Sequence, residues 1–90
     1  MLRVRVEDQP RVTTFFVEGK LVGDSVDELR KVWADTRDQH PDKETVVNLS
    51  SLFVVDSTGK RLLCEMHRLG TQIAGRGIMI RPLIEEIVGG

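Results

Sequence analysis

VVNLSSLFVVDSTGKRL, residues 46–62, changes character twice along its length. Val46, Val47 and Leu49 have the apolar, β-branched content of a short buried strand, and Leu52–Val55 continues as apolar chain. The chain then turns polar at Asp56, Ser57 and Thr58, passes Gly59, and returns to helical spacing, with Leu62, Leu63, Met66 and Leu69 on one face. The pattern predicts a short strand over 45–49, apolar chain through 52–55 to a corner, and a helix over 57–69. Gly70 stands where a left-handed C-terminal cap is wanted.

Upstream, Leu2–Val6 alternates apolar and basic residues, as an edge strand with one wet face does. Glu7-Asp8-Gln9-Pro10 reads as a turn. Val12–Val17 is rich in β-branched and aromatic residues on both faces and reads as a central strand, paired with the first as an antiparallel hairpin. A helix follows Gly23, capped by Ser25 in a capping box with Glu28 or by Asp24, and ended by His40-Pro41. Its stripe is Val22, Val26, Leu29, Trp33 and Thr36, with Trp33 as core filling, and Asp27 and Lys31 are spaced for an ion pair on the other side. Downstream, Thr71–Ala74 reads as the last strand, with Gly77–Ile80 the competing choice, and Met79–Val88 as a final helix with Pro82 in its first turn. The order β-β-α-β-α-β-α calls for an α/β fold: a four-stranded mixed sheet with about three helices and parallel β-α-β crossovers.

The chain has 90 residues, the length of one domain, so residues 1–90 are expected to form a single unit. Hydrophobic residues at 40% and charged residues at 30% exclude a disordered chain. A formal net charge of −1 supplies no long-range field for nucleic acid or an anionic membrane. Cys64 is the only cysteine, and MLRVRVEDQ at the amino terminus lacks a signal-peptide run, so a cytoplasmic protein is expected. No stretch has the apolar length of a membrane span.

Signals of catalysis are weak. HExxH, Walker, GxSxG and GxGxxG motifs are all absent, and no cofactor is expected. Cys64 and His67, three apart on one helix, are two metal ligands without a third. The 56–59 corner holds more. A serine at a helix start is most often an N-cap, worth about 1 kcal/mol. The same position tolerates a phosphate, because a helix amino terminus presents free N–H groups and partial positive charge. On the helical wheel Ser57, Arg61, Cys64 and Arg68 fall together opposite the apolar stripe, with Lys60 at the flank. Ser57 therefore heads an exposed basic face.

VVNLSSLFVVDSTG, residues 46–59, resembles the signature of STAS domains, the fold of bacterial anti-sigma factor antagonists. In that signature a strand ending Asp/Asn-Leu-Ser is followed by an apolar stretch and then Asp-Ser-Ser/Thr-Gly at a helix start. Asn48, Leu49 and Ser50 match the first part, and Asp56, Ser57, Thr58 and Gly59 the second. FFVEGKLVGDSVDELR, residues 15–30, is similar to the family's strand–Gly–Leu–helix segment. Lys60 and Arg61 stand where many members carry an apolar and a small residue.

The resemblance implies a SpoIIaa-like fold and a non-enzymatic binding module. Ser57 would accept phosphate from an anti-sigma serine kinase, with Thr58 the lesser candidate and Asp56 shaping the corner. The binding surface would comprise Asp56, Ser57, Thr58, Gly59, Lys60, Arg61, Cys64 and Arg68. The family also includes constitutive subunits of ABC transporters, in which case Ser57 would serve only as a cap. Exposed sheet edges leave a homodimer open.

Overall fold

The structure, a computed structural model, describes residues 1–89. Strands β1 (Leu2–Asp8), β2 (Val12–Leu21), β3 (Glu44–Val55) and β4 (Gln72–Ala74) form one sheet in the order β1-β2-β3-β4. β1 and β2 are an antiparallel hairpin, while β2–β3 and β3–β4 are parallel. Helices α1 (Asp24–Gln39), α2 (Ser57–Arg68) and α3 (Ile80–Gly89) fill the crossovers and the carboxy-terminal end. The expected element order, mixed sheet and last strand are all present, and Gly77–Ile80 is a turn leading into α3.

The core follows from register. Thr13 pairs with Thr45 and Phe15 with Val47, so the alternating buried residues of β2 and β3 fall on one face. Against that face the helices bury Val26, Leu29 and Trp33, then Leu62, Leu63 and Met66, then Ile80, Leu83 and Ile87. Trp33 fills the core as its place in the stripe requires, and its indole N–H donates to Thr71 Oγ1 at 2.8 Å. Thr71 Oγ1 in turn lies 2.7 Å from Thr45 Oγ1, so the buried hydroxyls are satisfied.

Several local expectations are corrected. β1 runs on to Asp8, whose carboxylate accepts from Thr13 Oγ1 at 2.8 Å and pairs with Lys43, fastening the hairpin. β3 is one continuous strand through Val55. The cap of α1 is Gly23, in the left-handed region at φ 54°, rather than Asp24 or Ser25. Ser25 Oγ instead takes the Val22 N–H at 2.9 Å and turns back to the Lys20 and Val22 carbonyls. Asp27 and Lys31 do not close an ion pair; α1 is tied to α2 by Arg30–Glu65 at 2.7 Å.

α2 ends as its glycine predicts. Gly70, at φ 99°, donates to His67 O and Thr71 donates to Met66 O, the two bonds of a Schellman motif. The chain leaves the helix there, so Leu69 is half exposed instead of facing inward. The second face of β2 and β3 has no helical cover among the described residues. Thr14, Phe16, Val46 and Asn48 are half-buried there, and Arg5 lies over the Phe16 ring at 4.2 Å.

Candidate functional site

The corner after β3 is built by Asp56. Its backbone is still extended, its N–H donates to Leu21 O at 3.3 Å, and its carbonyl accepts from Lys60 N at 2.9 Å. One carboxylate oxygen accepts from Gly59 N at 2.7 Å, and the other from Gly23 N at 2.9 Å. Asp56 is therefore the N-cap of α2 and also holds the start of α1. The Gly23 amide first, and the Gly59 amide next, keep its carboxyl below the ordinary value of 3.8.

Gly59 is buried because α2 starts against the end of β2. A Cβ there would lie 2.6 Å from Leu21 O and 2.8 Å from Val55 Cγ2, so no larger residue fits without movement. The corner is set by these two residues: a carboxylate that gathers amides and a glycine that lets the helix approach.

Ser57 is the first helical residue, not the cap, and is exposed. Its hydroxyl makes no hydrogen bond among the described residues. Thr58 beside it is also exposed. One and three turns along, Arg61 and Arg68 are exposed on the same side, while Cys64 is half-buried and packs on the core. Lys60, at the flank, reaches Glu86 of α3 at 3.4 Å. The basic face expected from the wheel is thus present, with Cys64 its least accessible member.

Chemically, the corner places an exposed hydroxyl beside an engaged carboxylate. Asp56 is the carboxylate nearest in sequence to the Ser57 hydroxyl, but both its oxygens are engaged and its pKa is lowered, so it is a poor general base. No group of three His, Cys, Asp or Glu residues placed to hold a metal occurs among the described residues, and Cys64 and His67 gain no third ligand. No helix among the described residues is long and apolar enough to cross a membrane.

Three neighbours of the corner are not assigned to it from the sequence. Gly23 is brought in from the β2–α1 connection, and Glu86 from α3. Phe53 precedes the corner on β3 and is 82% exposed. In sequence it is one residue of an apolar run, and the strand register turns it outward.

No protein-family model matches the sequence, and no curated protein matches it. Solved structures do. An anti-sigma factor antagonist from Mycobacterium paratuberculosis superposes with a TM-score of 0.79 at 20% identity, over 99% of this chain and 79% of that one. The anti-sigma factor antagonist SpoIIAA in its unphosphorylated form gives 0.71 at 19% identity, over 92% of this chain and 82% of that one. An antisigma-factor antagonist STAS domain from Rhodobacter sphaeroides gives 0.58 at 20% identity, over 87% and 88%. The chain has the SpoIIAA-like fold of STAS domains.

Proposed function

We propose that this protein is a non-enzymatic regulatory binding module of the anti-sigma factor antagonist kind, which binds an anti-sigma serine kinase and is switched by phosphorylation of Ser57. The observation that carries the reading is the division of labour at the corner. Asp56 does the capping, which leaves the Ser57 hydroxyl exposed and uncommitted at the head of a basic face. The likeness of fold to anti-sigma factor antagonists supports a protein partner of that kind.

In the switch, Ser57 Oγ takes the γ-phosphoryl group of a nucleoside triphosphate. An O–P bond forms, the bond to the nucleoside diphosphate breaks, and the hydroxyl proton is released. The product carries roughly −1.5 to −2 additional charges beside the fixed Asp56 carboxylate and below Lys60 and Arg61, which reverses the sign of the surface a partner meets. In the unmodified form the binding surface is Ser57, Thr58, Lys60, Arg61 and Arg68, with Asp56 and Gly59 holding its shape and Cys64 at its inner margin.

The test is incubation with purified candidate anti-sigma kinases and ATP, followed by intact-mass analysis and a binding titration. One added phosphate, lost in Ser57→Ala, is expected. Ser57→Asp should weaken kinase binding by several kcal/mol, as a charge placed at an interface centre does. Binding of Ser57→Asp as tight as wild type would sink the switch. A constitutive ABC-transporter subunit is the second reading, in which Asp56 caps α2 and Ser57 is never modified; unchanged mass after kinase incubation together with co-purification of an ATP-binding subunit would favour it.

A further inference from the structure

β4 accompanies β3 only as far as the Asn48–Ala74 pair. β3 itself continues to Val55, so from Leu52 onward it has β2 on one flank and no strand on the other. The chain after β4 crosses near Ser50, where Arg76 N donates to Ser50 Oγ at 2.9 Å, and then leads into α3. A groove of about 410 Å³ is left between Leu52–Val55 and the first turn of α3, with the Lys60–Glu86 pair among its walls.

A strand flank without a neighbour presents backbone donors and acceptors to whatever can lie beside it. Along this one Leu52 is buried, while Phe53 and Val54 are turned outward. Gly19 pairs with Leu52 and Lys20 with Val54, so Phe53 is the extra residue of a bulge, the device by which a strand re-aims a side chain. Phe53 is 82% exposed, Met79 across the groove 83%, and Ile78 next to it 91%. Exposure of this size, on both lips of a groove with an open backbone edge, is the arrangement used for strand addition. The edge lies within the groove behind α3, so its occupant must be a thin, extended segment. The adjoining depression, which shares Pro82, has Arg76, Arg81 and Glu85 as its charged walls, a basic excess of one, and neither arginine forms an ion pair among the described residues. An acidic residue beside the segment's apolar part would meet the arginines.

We propose that the groove binds an extended apolar segment of a partner protein, flanked by acidic residues, which adds to β3 as a short strand along Leu52–Val55. Its main chain takes up the free flank, and its alternate side chains rest on Phe53 and Met79. This surface does not depend on Ser57 and stands whether or not that residue is modified.

The test begins with a displayed library of random linear peptides selected against the immobilised full chain. Recovered peptides are then titrated into the protein in heteronuclear NMR. Enrichment of apolar peptides with acidic flanks is expected, with the amides of Leu52–Val55 shifting and exchanging more slowly. Phe53→Ser and Met79→Ser should each weaken binding about tenfold or more. Both residues are exposed, so thermal unfolding should be unchanged and the loss assigned to the surface. N-methylation of alternate peptide amides should weaken one of the two frames to the same degree. The proposal is overturned if no peptide enriches, if the shifts map elsewhere, or if both N-methylated frames bind as well as the parent. It is also overturned if sedimentation shows a dimer that Met79→Ser dissolves, since the occupant would then be a second copy of this chain.

Discussion

At Asp56 one carboxylate accepts from two amides, Gly59 at 2.7 Å and Gly23 at 2.9 Å, and both bonds favour the ionised form. Its folded pKa lies below the ordinary 3.8, so its stabilising contribution is complete above that value and fades as pH falls through the lower, folded value. Urea midpoints measured from about pH 5 downward should therefore converge for wild type and Asp56→Asn, with wild type the more stable at the upper end. At Gly59 the prediction runs against helix propensity. Alanine favours a helix interior over glycine, yet its Cβ would press on Leu21 O at 2.6 Å, so Gly59→Ala should destabilise by roughly 1–3 kcal/mol in urea unfolding. The sequence shows Asp56 and Ser57 side by side, and both residue types cap helices well. What separates them is which one keeps an extended backbone, and that depends on where β3 stops pairing with β2 at Leu21–Val55. Local pattern does not contain that information.

Among the elements, the helices read more reliably than their ends. The stripes of α1, α2 and α3 appear in the sequence because each buries one face on a single sheet surface. The start of α1 does not, because the capping pattern at Ser25 competes with Gly23, whose amide is taken by Asp56 on a different crossover. Leu69 fits the stripe of α2 by spacing but follows the last helical residue, and the Gly70 turn carries it outward. The join between α1, β3 and the end of α2 is a buried polar relay: Trp33 Nε1 to Thr71 Oγ1 to Thr45 Oγ1. Thr71→Val removes the shared oxygen and strands the indole N–H, at a cost of about 1–3 kcal/mol. Thr71→Ser keeps the oxygen and should recover most of that. Trp33 is the sole tryptophan and is buried, so its fluorescence reports both variants directly.

Across the molecule, sequence patterning conveys the order of elements and the parallel crossovers, and the likeness to anti-sigma factor antagonists rests on that same layout. It conveys less about coverage. β2 carries apolar residues on both sides, which reads as burial on both, yet Phe16 is sheltered by Arg5 from the neighbouring strand instead of by a helix. Phe53 and Met79 lie outside the core, and for Phe53 the reason is that the length of β4 and a bulge decide where β3 stays covered. The Asp56–Gly23 bond has one more consequence, and it concerns time. It joins positions 33 residues apart, and the β2–α1–β3 crossover must close before the two groups meet. We expect a bond made only after that closure to contribute little at the folding barrier, while it must break on unfolding. In stopped-flow experiments Asp56→Ala should therefore leave the folding rate nearly unchanged and speed unfolding, making this carboxylate a latch on the lifetime of the native state.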